Sequence, residues 1–235
     1  MSDAPSRDNR QLLLPYLAPY FAYVGVASLV AAFGADLISH ELDYAIRLVL
    51  TSAALVWAWR FYVPLRGPRS PLGSVAVGVV AGLVGLALWI ALLAPFAAEG
   101  EAWRPSAWLL RGLVSASLVP IFEEQLMRGY VLRFAIQWDR ARDAGAEDPF
   151  GVALDQSSIA RIEPGAWTWT ALLISTALFT LGHAQPEWPA ALAYGLLMAG
   201  LWIWRQDLLS CVVAHAVTNA ALAVYVRASG QWAFW

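Results

Sequence analysis

Apolar residues in this chain run in long blocks broken by short polar stretches, rather than recurring along one stripe of an amphipathic helix. Crossing a bilayer core takes about 20 apolar residues per helix. Blocks of that order lie at 12–34, 42–63, 72–98, 106–136, 167–184, 188–204 and 208–228. In lipid every backbone polar group must be satisfied internally, so only helices or closed barrels can span. These blocks are too long and too uniformly apolar for barrel strands, which alternate. The pattern predicts an all-α, polytopic transmembrane helical bundle with about seven to eight membrane helices. Residues 1–235 then form a single integral membrane domain.

Composition supports that reading and removes others. Hydrophobic residues make up 60% of the chain and charged residues 14%, with a mean hydropathy of +0.56. A soluble domain averages about 45–50% apolar and about 25% charged. Disorder, a coiled coil and a disulfide scaffold are excluded, and a net charge of −2 gives no reason to expect a nucleic-acid partner. The one cysteine, Cys211, rules out an internal disulfide or a thiolate cluster and reads as a small buried hydrophobe. No cleavable signal peptide is apparent at the start.

Arginine placement gives an orientation. With the N-terminus inside, Arg7, Arg10, Arg60, Arg66, Arg69, Arg133, Arg140, Arg142, Arg161 and Arg205 fall on the cytoplasmic side, and Arg47, Arg104, Arg111 and Arg227 near the other. Many of the tryptophans cluster near block ends, as an interfacial belt would. The expectation is a multi-pass protein of a bacterial inner membrane, with a cytoplasmic polar loop at 139–166. Gly78, Gly82 and Gly85 would let the third block pack closely on a neighbour.

The informative residues are those that a membrane helix should not carry. In the fourth block, Glu123, Glu124 and Arg128 would together cost about 8–10 kcal/mol if unpaired, at roughly 2.5–3.5 kcal/mol each near a helix centre. Glu124 and Arg128 stand at i, i+4 and can pair. Glu123, turned about 100° away, needs a donor from another helix or a wet cavity. Pro120 is a candidate kink that opens the backbone there. His183 ends the fifth block, and His215 and Asn219 share one face of the seventh. His40 is given no role. Carboxylates, imidazoles and a carboxamide are the parts of a hydrolytic site: the first two deprotonate a water, and imidazole and amide donate to an oxyanion.

Glu-Glu-x-x-x-Arg-Gly at 123–129, Phe-x-x-x-His at 179–183 and His-x-x-x-Asn at 215–219 resemble the three ordered motifs of the CAAX prenyl protease and bacteriocin-processing (Abi) family of intramembrane endopeptidases. The resemblance covers about 105–228, the expected protease core, and the chain is also similar to a short branch associated with exosortase sorting systems. It implies that Glu123 acts with His183 on the water and that His215 and Asn219 form the oxyanion site. Glu124 and Arg128 would hold the site together. It further implies a membrane protein or lipidated peptide as substrate, with no cofactor required, since better-understood members look glutamate-dependent. A zinc site from Glu123, His183 and His215 is an alternative, although no HExxH helix is present.

Two competing functions fit the same bundle: a non-catalytic membrane scaffold or immunity protein, and a transporter with a proton relay, which the lack of inverted repeats disfavours. The hydropathy map also contains a conflict. It puts His183 near the outer end of the fifth block but His215 roughly 12 Å from the inner end of the seventh, at 1.5 Å per residue. Straight, full-length helices would keep them apart; Pro186 and Pro189 predict a tilted or re-entrant segment between.

Overall fold

Asp8 starts the first helix by accepting the backbone N–H of Gln11, and the chain then runs helical for 25 residues, Asn9–Phe33 (α1). The computed structural model describes residues 7–34 and 37–235. Seven further helices follow: α2 (His40–Ala58), α3 (Pro71–Leu93), α4 (Pro105–Glu124), α5 (Leu132–Asp143), α6 (Pro149–Asp155), α7 (Trp169–Leu181) and α8 (Trp188–Arg205). The last, α9, spans Leu209–Ser229. Ser39, Ser70 and Thr168 cap α2, α3 and α7 with side-chain oxygens, and Pro71 opens α3 where its missing N–H costs nothing.

Each predicted block coincides with a helix, and the described residues contain no strand. Five helical stretches are long and apolar enough to cross a membrane: Asn9–Phe33, His40–Phe61, Pro71–Phe96, Pro105–Asp143 and Leu209–Ser229. Leu14, Phe33, Val56, Leu72, Val80 and Leu173 all stand 60% or more exposed. A soluble monomer rarely exposes apolar patches beyond a few hundred Å². The chain is an integral membrane protein, and this exposed belt faces lipid.

Two blocks differ in length from the prediction. The fifth yields only a 13-residue α7, because Gly182 caps it and the chain turns through Ala184–Pro186 before α8 begins. The fourth is longer. From Pro105 to Asp143 the chain is helical for 39 residues, about 58 Å at 1.5 Å per residue and far beyond a bilayer's 30 Å core. Pro120 sits inside α4 without ending it. The irregularity comes one turn later, where Gln125–Val131 winds as a π-helical turn and the N–H of Leu132 reaches back five residues to the carbonyl of Met127.

The polar 139–166 segment is folded onto the bundle. The Asn9 amide donates to Gln137 Oε1 at 2.5 Å and to the Ala153 carbonyl at 2.7 Å, and its oxygen accepts the Ile159 N–H at 2.7 Å. Arg10 makes a bidentate pair with Asp155 at 2.5 and 2.9 Å, and this hydrogen bonding holds the Asp155 carboxyl below its ordinary range.

The partner that the α3 glycines await is α9. A Cβ on Gly82 would stand 2.6 Å from the Ala214 carbonyl oxygen and one on Gly78 2.8 Å from that of Ser210. Thr218 then donates across the seam to the Gly82 carbonyl at 2.8 Å. Gly82→Ala should therefore destabilise the protein by about 1–3 kcal/mol through overpacking against backbone that cannot yield. Thermal unfolding in detergent measures this; an unchanged midpoint would show that the seam has slack.

Candidate active site

The site is built where α4, α7, α8 and α9 meet. Glu124, fully buried, pairs with Arg128 one turn later, Nη1 to Oε2 at 3.2 Å. Arg128 is also fully buried: its Nη2 donates to the Gly195 carbonyl on α8 at 2.9 Å, and its guanidinium lies 5.3 Å from the ring of Phe179 on α7. One ion pair thus ties three helices. The π turn belongs to the same junction, since Ser175 of α7 donates to the Met127 carbonyl at 3.0 Å. Gly129 sits where a Cβ would come 3.2 Å from the Tyr16 ring, so α1 approaches the turn closely.

His215 takes the position between the two carboxylates. Its Nδ1 lies 3.1 Å from Glu124 Oε1, and its Nε2 lies 3.9 Å from Glu123 Oε2. The first is a hydrogen bond; the second is too long for one. Neighbouring helix positions point about 100° apart, and one imidazole lies between the two carboxylates, hydrogen-bonded to Glu124 alone. Glu123 keeps a buried Oε2 with no hydrogen-bond partner. Its side chain is 12% exposed.

The tautomer of His183 follows from its neighbour. Its Nδ1 is 2.8 Å from the Phe179 carbonyl, which can only accept, so Nδ1 carries the proton and a neutral His183 presents Nε2 as a lone pair. Trp188 fixes the turn by donating from Nε1 to the His183 carbonyl at 3.1 Å. Asn219 donates from Nδ2 to the Ser115 carbonyl at 2.7 Å, clasping α9 to α4. One amide hydrogen remains.

Glu123, His183, His215 and Asn219 line one cavity of about 240 Å³. Glu124 and Arg128 lie behind it. Among the described residues, no group of three or more His, Cys, Asp or Glu side chains is arranged to hold a metal ion. His40 stacks on Trp103 at 4.0 Å, away from this group.

The two histidines meet because the helices do not start at one level. Cys211 contacts the Met198 carbonyl at 3.6 Å. Met198 is seven residues above the end of α8, and Cys211 only two above the start of α9. At 1.5 Å per residue α9 therefore starts about 7 Å deeper in the bundle than α8 ends. That lifts His215 toward Phe179, whose ring is 6.2 Å from His215 and 4.7 Å from His183.

Sequence reasoning missed Tyr194 and Thr218. Both line the cavity, and the Tyr194 hydroxyl donates to Thr218 Oγ1 at 3.1 Å. A tyrosine in the middle of an apolar block and a threonine three residues after His215 were the available signals. Arg111, Trp89 and Trp235 also line it.

Comparison with known proteins gives one finding. The family model described as type II CAAX prenyl endopeptidase Rce1-like matches residues 105–221, the stretch that runs from the first residue of α4 to two residues past Asn219. No match was found among curated proteins or solved structures. The match carries all three motifs in order, and residues 105–221 place this integral membrane chain in the Rce1-like family of type II CAAX prenyl endopeptidases.

Proposed function

We propose that the protein is an intramembrane endopeptidase that hydrolyses a peptide bond of a membrane-associated protein with a water activated by Glu123 and His183. One observation carries the reading: an unpartnered carboxylate oxygen, an imidazole lone pair, a second imidazole and a carboxamide border the same cavity.

Glu123 and the Nε2 of His183 orient a water between them. As its oxygen attacks the scissile carbonyl carbon, the proton passes to Glu123. Negative charge gathers on the carbonyl oxygen, where His215 and Asn219 donate. Glu124 fixes the His215 ring through Nδ1, which leaves Nε2 for that oxygen. The C–N bond then breaks, and Glu123 returns the proton to the leaving amine. Glu124 and Arg128 touch no substrate; they set the height and rotation of His215. Activation needs no metal in this scheme.

The substrate would be a membrane protein or lipidated peptide, as befits a family whose members act on membrane-associated chains. On the arginine bias, the N-terminus and the 139–166 segment face the cytoplasm of a bacterial inner membrane. His183→Ala should lower cleavage of a membrane-tethered peptide by about 10²–10⁴-fold, the usual worth of one proton-transfer group. The assay uses purified protein in vesicles, with insertion and unfolding midpoint unchanged. Full activity would overturn the assignment of His183.

A further inference from the structure

A second cavity, of about 300 Å³, lies at the opposite end of the long helix from Pro105, where the 61–66 stretch meets residues 159–164. Arg133 is its unusual wall residue. It is 4% exposed, and its Nη1 donates to the carbonyls of Ile159 at 3.0 Å and Ile162 at 2.8 Å. Its guanidinium lies 5.1 Å from the Trp202 ring. Among the described residues no carboxylate pairs with it, and its buried Nε has no hydrogen-bond partner. Carbonyl dipoles and the unpaired charge of Glu163 are what offset this buried cation, and a close counter-ion would relieve its remaining cost.

One more cation lines the same cavity, and two others lie over the ring of a wall residue. Arg66 lines it, exposed. Arg7 and Arg60 sit over the ring of Phe61, another wall residue, at 4.7 and 4.8 Å. The acid in the described wall is Glu163, which is exposed and makes no ion pair with Arg66 or Arg133. Depth identifies the chemistry on offer. Arg133 lies ten residues beyond Glu123, about 15 Å along the helix, which is half the thickness of a 30 Å hydrocarbon core. With Glu123 near mid-membrane, Arg133 is at headgroup level. Trp57, Trp59, Trp167, Trp169 and Trp204 are exposed near this end, as interfacial tryptophans are.

We propose that this cavity binds a phosphate-bearing anion, with Arg133 as the deep guanidinium donor and Arg66 as the donor at the rim. A planar guanidinium matches phosphate oxygens in geometry as well as charge. The site is separate from the catalytic cavity and stands whether or not that cavity hydrolyses peptides.

The test follows the thermal unfolding midpoint of the full-length protein in an uncharged detergent. Phosphatidylglycerol is titrated in, with diacylglycerol as the phosphate-free lipid and sodium phosphate compared with sodium chloride at equal ionic strength. Phosphatidylglycerol should raise the midpoint saturably and diacylglycerol should not. Arg66→Gln and Arg133→Lys should each raise the half-saturating concentration about ten-fold or more, the loss of one charge-assisted contact. If sodium phosphate reproduces the shift, the free anion is the ligand; if lipid alone does, the headgroup is. Equal shifts with diacylglycerol, no shift with either phosphate source, or an Arg66→Gln protein with unchanged half-saturation would overturn the proposal. Arg66 lies outside every helix, so its variant serves even if Arg133→Lys fails to fold.

Discussion

Glu123→Gln is expected to remove cleavage down to assay background, a loss of at least about 10²–10⁴-fold, while the protein still inserts and unfolds near the wild-type temperature. The substitution is nearly isosteric, and Glu123 Oε2 makes no hydrogen bond that glutamine would break. What it removes is the base: an amide cannot accept the proton of the attacking water at neutral pH. A single-turnover assay on a membrane-tethered peptide, run beside thermal unfolding of the same preparation, separates the outcomes. Retained activity would sink the glutamate mechanism. Retained midpoint with lost activity would support it. A collapsed midpoint would instead favour the scaffold reading, in which the polar residues form a buried lock and nothing more.

Arg128→Met should cost stability first. It leaves Glu124 buried with one partner, His215, and frees the Gly195 carbonyl. Removing one member of a buried pair typically costs about 3–5 kcal/mol because the other charge is stranded. Glu124→Gln/Arg128→Met should cost less than the sum of the two single changes, since the residues share one network. Denaturant or thermal unfolding of all four proteins measures this. If the double variant costs as much as the two single changes added together, the two residues do not share the network assigned to them. Activity should fall with stability in this series, because His215 loses its orientation when Glu124 moves.

Much of the bundle was legible because hydropathy is a local property. Each predicted block is a helix, and Glu123 announced itself as a residue that lipid would not tolerate alone. The parts that could not be read depend on contacts far apart in sequence. The 139–166 segment looks like a polar loop, yet it is ordered by Asn9, more than a hundred residues earlier. The depth conflict between His183 and His215 arose from starting every helix at one plane; Cys211 against Met198 shows that α9 does not. Nor does any periodicity mark Gln125–Val131 as a π turn, since its apolar and polar positions suit an ordinary helix equally well. The share of His215 between two carboxylates needed the third dimension, although the motifs had gathered its partners.

That π turn has a consequence for phase. A helix is a rod in which angle and distance are locked together, about 100° for every 1.5 Å. A π turn slips that lock by one residue. Upstream of it, Glu123 and Glu124 face His215; downstream, Arg133 faces the carbonyls of Ile159 and Ile162. Were the same residues wound as uninterrupted α-helix, Arg133 would rotate by roughly 100° and leave those carbonyls while the carboxylates stayed in place. The single helix thus serves two faces whose angular settings do not match, and the slipped residue is the coupling that lets one shaft hold both.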